Sequence, residues 1–212
     1  MGRIVLVLIL FPTALAAVAQ KDFGVRLGVG NASLAVPGHI DSDPCPPETD
    51  CPAGATDAVR GLILGADLDL PVPNSSGALG LRIGAAYAQK GGAGSGRDAD
   101  GGPDRGRTLS TSYLQFSALL RARTSGPQSL VVLLGPWVGK QLSCGITGDL
   151  AAACGVDDAG VAMGAGVEMA LPGSSGASVG MEGIYYRGLK EQSGDERTRF
   201  VAVQAGFVFP LG

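Results

Sequence analysis

The sequence predicts an all-β protein, an eight-stranded antiparallel up-and-down transmembrane β-barrel. Apolar residues recur with a period of two in eight separate stretches, and the connections between those stretches alternate between long and short. Glycine is abundant, with 35 in 212 residues, while 45% of the chain is apolar and only 17% is charged. Glycine without a three-residue period excludes collagen, and this apolar fraction excludes a disordered chain. Glycine suits strands that crowd into a narrow lumen better than it suits helices.

The first strand shows the pattern cleanly. In Phe23-Gly24-Val25-Arg26-Leu27-Gly28-Val29-Gly30 every odd position is apolar and every even one is glycine or arginine. A strand separates those classes onto two faces, whereas a helix would mix them around its axis. The second strand sets Leu62, Leu64, Ala66, Leu68 and Leu70 against Gly61, Gly65, Asp67 and Asp69. The third places Leu79, Leu81, Ile83, Ala85 and Tyr87 opposite Gly80, Arg82, Gly84 and Lys90, and the fourth places Leu114, Phe116, Ala118 and Leu120 opposite Gln115, Ser117, Arg121 and Arg123. The fifth, about 130–142, is apolar on both faces, so alternation leaves its parity open. The sixth sets Val161, Met163, Ala165, Val167 and Met169 against Gly160, Gly164, Gly166 and Glu168. Val179, Met181 and Tyr185 oppose Ser178, Gly180 and Glu182 in the seventh, and Val201, Val203, Phe207 and Phe209 oppose Ala202, Gln204 and Gly206 in the eighth.

Alternation alone fits a soluble sandwich as well. The connections decide the class. They run about 23, 7, 17, 5, 13, 5 and 8 residues, and the short ones are Pro/Gly/Ser turns. Transmembrane barrels share this asymmetry, with short periplasmic turns and longer outer loops. Strands of roughly 10 to 14 residues are long enough to cross hydrocarbon when tilted ~45°, and closure leaves no unpaired edge facing lipid. An even strand number puts both termini on the periplasmic side.

Residues 1–19 read as a secretory signal: Arg3, an apolar run from Ile4 to Leu15, then Ala17-Val18-Ala19 before the cleavage point. The run is short for an uncleaved anchor spanning ~30 Å of hydrocarbon. Residues 20–212 then form the barrel. Losing Arg3 takes the net charge from −3 to −4, which speaks against nucleic acid as a partner. Cys45, Cys51, Cys144 and Cys154 all lie in the exported part, where an even count points to disulfides. Of three possible pairings, Cys45–Cys51 with Cys144–Cys154 keeps each bridge within one loop. A zinc site lacks CxxC spacing and has only His39 to help.

Several segments resemble the PorT family of outer-membrane β-barrels. They are Tyr87-Ala88-Gln89-Lys90-Gly91, Tyr113-Leu114-Gln115-Phe116, Leu134-Gly135-Pro136-Trp137-Val138-Gly139, Gly164-Ala165-Gly166-Val167-Glu168, and Glu182 with Tyr185 and Gly188-Leu189. The resemblance spans nearly the whole mature chain and keeps its order. It departs at Ile184, where the family usually has arginine, and at the terminal Phe209-Pro210-Leu211-Gly212. It implies membrane residence and topology and assigns no agreed activity.

Catalytic chemistry is poorly served. His39 is the sole histidine, and neither Ser33, Asp41 nor Asp43 joins it in a nucleophile motif. Asp98-Ala99-Asp100-Gly101 followed by Asp104 falls short of a calcium loop's ligand count. Gly28-Val29-Gly30 and Gly164-Ala165-Gly166 open no helix, so they are not nucleotide cradles. The sequence therefore predicts no enzyme and no cofactor. Organised charge appears only in the lumen, where Arg26, Arg82, Arg121 and Arg123 share inward parity with Asp67, Asp69, Glu168 and Glu182. Buried ions are costly unless paired, so an ion-pair network plugging a barrel too narrow for more than side chains is expected.

The reading is a structural or interaction protein of the outer membrane. Its partners would be outer-membrane lipid and, through loops 35–57, 91–107 and 144–156, lipopolysaccharide or an external protein. A small porin-like channel or transporter and a soluble lipocalin-like barrel are the alternatives.

Overall fold

The computed structural model describes residues 21–35, 57–75, 77–96, 105–147, 157–174, 176–189 and 197–211. The proposed signal (1–19), the loop residues His39, Asp41 and Asp43, the cysteines Cys45, Cys51 and Cys154, and Asp98, Asp100 and Asp104 lie outside them.

Eight strands form the wall: β1 (Lys21–Ala35), β2 (Asp57–Pro71), β3 (Leu79–Gly96), β4 (Arg105–Arg123), β5 (Gln128–Thr147), β6 (Asp158–Ala170), β7 (Ser178–Gly188) and β8 (Arg197–Leu211). Each pairs antiparallel with its sequence neighbour, and β1 closes the ring on β8 in register from Lys21↔Leu211 to Ala35↔Arg197. The fold is thus the closed eight-stranded antiparallel barrel expected. Consecutive strands are joined alternately at opposite ends, giving a short-turn end and a long-loop end.

Burial follows the two-residue period. Arg26, Asp67, Arg82, Gln115, Glu168, Glu182 and Gln204 are buried inside, while Leu27, Leu64, Ile83, Phe116, Met163, Val167 and Val203 are exposed outside. The parity of β5, open in the sequence, resolves with Val131, Leu133 and Trp137 inward and Leu130, Val132, Leu134 and Val138 outward. Part of the inner layer is an apolar cluster that includes Ile63, Leu119, Leu133, Ile184 and Phe200. The outer face is the more continuously apolar of the two, and a solvated monomer rarely exposes so much.

Two short turns are built alike. Val72-Pro73-Asn74-Ser75 and Leu171-Pro172-Gly173-Ser174 place proline second and a positive φ third, 65° at Asn74 and 76° at Gly173. Proline presets the first angle, and asparagine or glycine tolerates the second. Ser75 Oγ donates to the Val72 and Leu79 carbonyls at 2.6 and 3.0 Å. Ser174 Oγ repeats this on Leu171 and Ala177 at 2.7 and 3.1 Å.

The loop bounds need correction. Strands β3 and β4 stay paired as far as Gly96↔Arg105, so connection 91–107 narrows to 97–104. Connection 144–156 becomes 148–157, because β5 continues to Thr147 and Cys144 pairs in register with Thr111. Connection 35–57 loses only its end residues, Ala35 and Asp57, to strands. Segments such as Gly91-Gly92-Ala93-Gly94 carry no alternation, and backbone pairing alone prolongs the ladder there.

Candidate functional site

The interior is organised in two tiers. Nearer the short turns lies a network of guanidinium and carboxylate groups. Arg82 of β3 forks onto Asp69, donating from Nε at 2.9 Å and Nη2 at 3.1 Å. Its Nη1 donates to Glu182 Oε2 at 2.7 Å, and Nη2 lies 3.4 Å from Glu168 Oε1. Arg26 of β1 meets Asp67 Oδ2 at 2.5 Å and Glu182 Oε2 at 3.2 Å. Arg121 of β4 donates to Glu168 Oε2 at 2.6 Å and lies 3.6 Å from Asp69. Arg123 stands at the edge: it is 3.8 Å from Glu168, and its side chain is 34% exposed while the other seven are buried.

Four cations and four anions balance to zero, so the cluster is neutral despite its burial. Charge-assisted, forked pairs of this kind are the strong class of hydrogen bond. Glycines make the room. A Cβ on Gly206 would meet Arg26 Cγ at 2.8 Å, and one on Gly24 would meet Asp67 Oδ1 at 2.5 Å. Arg26 and Asp67 therefore occupy space that a side chain at Gly206 or Gly24 would take.

Nearer the long loops the lining changes character. Lys90 Nζ sits 4.1 Å from the Trp137 ring centroid, 4.8 Å from Tyr113 and 5.6 Å from Phe200, within reach of cation–π attraction. Asp158 Oδ2 lies 3.9 Å from the same ammonium and accepts a hydrogen bond from the Thr198 hydroxyl. Tyr186 packs edge-on against Trp137 at 5.8 Å and tilted against Phe200 at 5.6 Å. The inward parity of Lys90 was readable in sequence, but its aromatic cage was not. Its three rings, Tyr113, Trp137 and Phe200, sit on β4, β5 and β8, and nothing in sequence gives the stagger that aligns them.

Between the tiers is a cavity of about 40 Å³ bordered by Arg26, Asp67, Gln115, Trp137, Tyr186 and Gln204. Neither polar atom of the Gln115 carboxamide has a hydrogen-bond partner among the described residues. A space of this size beside an unpartnered carboxamide has room for a few water molecules. A wider vestibule of about 280 Å³ opens at the short-turn mouth beside Asp22, Arg123 and Glu168. Ile184, where the PorT resemblance departs, points inward and is 3% exposed. Cys144, at the long-loop end of β5, is disulfide-bonded.

A closed antiparallel wall with an apolar exterior and paired charges inside defines a small eight-stranded β-barrel. Solved structures resemble this chain at low sequence identity. One is the attachment invasion locus protein Ail of Yersinia pestis in complex with the heparin analogue sucrose octasulfate, at 15% identity and a TM-score of 0.44, covering 90% of this chain and 100% of that one. Another is Neisserial surface protein A, at 12% identity and a TM-score of 0.47, covering 89% and 97%. Ail in a phospholipid bilayer nanodisc shows 17% identity and a TM-score of 0.39, covering 90% and 99%. No family model and no curated protein matches the chain, so the resemblance to the PorT family finds no support there.

Proposed function

We propose that this chain is an integral outer-membrane barrel with a structural or interaction role, its lumen plugged by its own side chains. The observation that carries the reading is the continuous outward apolar face, with Val25, Leu64, Ile83, Phe116, Leu134, Met163 and Val203 all exposed on a ring that has no sheet edge. Exposed to water it would aggregate; in hydrocarbon it is the stable arrangement. Residues 1–19 serve as the export signal, both termini face the periplasm, and the long loops face outward. Disulfides brace those loops, which are available to lipopolysaccharide or an external protein. No catalytic role is assigned.

The interior disfavours a conduit. Arg82 bridges carboxylates on both sides of the lumen, and the Trp137 cage closes a second level above it. The test is extraction of native membranes. The protein should stay in the pellet through alkaline carbonate, require detergent for release, and migrate differently on gels with and without boiling. Release by carbonate alone would replace this reading with a soluble ligand-binding barrel.

A further inference from the structure

The exterior also carries charge, and it is placed asymmetrically. Arg60 of β2, Arg187 of β7 and Arg199 of β8 are all exposed on the outward face near the long-loop end. Each stands immediately beyond an outward residue of the apolar wall: Leu62 on β2, Tyr185 on β7 and Val201 on β8. At the opposite rim the outward positions are Phe23, Phe209 and Leu211, with Lys21 the nearby cation.

Arg187 and Arg199 are direct cross-strand partners, and Tyr185↔Val201 is the next outward pair towards the middle of the wall. Asn31 of β1 pairs with Arg60 on one side and Val201 on the other, linking the three arginines across four adjacent strands. Like charges directly opposite each other on a sheet destabilise it. Lys140, also near this rim, has Asp157 at 3.1 Å, yet none of the three arginines has an ion-pair partner among the described residues. Among the described residues nothing balances these two facing guanidinium groups, which leaves them open to an anion from outside the chain.

We infer that Arg187 and Arg199, with Arg60 flanking them, hold the phosphate of a lipid headgroup in the leaflet surrounding the long-loop end. This rests on the membrane reading above. The height at the border of the apolar wall selects a lipid over a freely diffusing ion, because the acyl chains then lie along Tyr185 and Val201. Two guanidinium forks match phosphate oxygens in geometry as well as charge.

Native mass spectrometry of the refolded, detergent-solubilised barrel tests the assignment, with dioleoyl phosphatidic acid as the probe. The barrel should retain this lipid, and R187Q/R199Q should weaken retention by roughly twentyfold or more, at about fivefold per arginine. Inorganic phosphate at the same concentration should not displace it. R187K/R199K, which keeps both charges but not the forks, should hold clearly more lipid than R187Q/R199Q. Unchanged retention in the glutamine pair would overturn the site. So would displacement by inorganic phosphate, which would make it a free-anion site, or equal loss in the lysine pair, which would mean only a disturbed rim. Failure of the membrane reading is separable, because it shows as carbonate release of the unaltered protein.

Discussion

Arg82 and Glu182 stand on β3 and β7, four strands apart in a ring of eight, and Nη1 donates to Oε2 at 2.7 Å. Their bond therefore crosses the lumen. A wall that is separately hydrogen-bonded all round is tied through its middle by this contact, and the same guanidinium is anchored to Asp69 on the adjacent strand.

Removing the anion should expose the cost of the cation. Glu182→Ala is expected to destabilise the barrel by about 3–5 kcal/mol, since Arg82 and Arg26 both lose a buried counter-ion. Replacing Arg82 and Glu182 together with apolar residues should recover part of that loss. Urea unfolding of the four proteins of the cycle, in lipid vesicles, measures the coupling; additive losses would mean that the two charges do not sense each other.

Trp137 is the sole tryptophan of the chain and is 2% exposed. Its emission should be blue-shifted and resistant to iodide until the barrel unfolds. Trp137→Ala opens a large cavity and should cost about 3–5 kcal/mol. Lys90→Met, which exchanges a caged cation for an apolar chain of similar length and leaves Asp158 its hydrogen bond from Thr198, should cost less. Far-ultraviolet circular dichroism through a urea titration ranks the two variants, and a larger cost at Lys90 would contradict the cage as an apolar support.

The outward face should reject charge according to depth. Met163 lies in the middle of β6, and Met163→Arg should cost about 2–4 kcal/mol. Leu81 lies only two residues into β3 and so close to the short-turn rim. Leu81→Arg should cost less than Met163→Arg. Equal tolerance of both in vesicle unfolding experiments would argue that this face does not contact hydrocarbon.

Cys45–Cys51 and Cys144–Cys154 should each close a short loop worth roughly 2–3 kcal/mol on the chain-entropy model. Reduction should leave the barrel's gel mobility unchanged, since the wall is tied by backbone pairing. Non-reducing peptide mapping that found Cys45 linked to Cys144 would refute the pairing.

Much of this architecture was written locally. Leu62, Leu64 and Leu68 against Asp67 and Asp69 assign two faces without reference to any other strand, and so do Val161 and Met163 against Gly160 and Gly164. β5 resisted because Val131, Leu133 and Trp137 point into the lumen, leaving both of its faces apolar. The length of β3 and β4 was hidden for the opposite reason: Gly92, Gly94 and Gly96 have no apolar face to display. Partners inside the lumen depend on stagger. Sequence parity put Arg82, Glu168 and Glu182 on the same side of the wall, but only the register shows Arg82 within 3.4 Å of both carboxylates.

Quenching by lipids brominated along the acyl chain tests the central claim most directly, because bromine quenches only the fluorophores that hydrocarbon touches. A single tryptophan introduced as Met163→Trp in a Trp137→Phe background should be strongly quenched in brominated vesicles. Native Trp137, on the inner side of the same wall, should be almost unaffected. Strong quenching at 137 with little at 163 would reverse the faces, and no quenching at either position would contradict a membrane-spanning barrel.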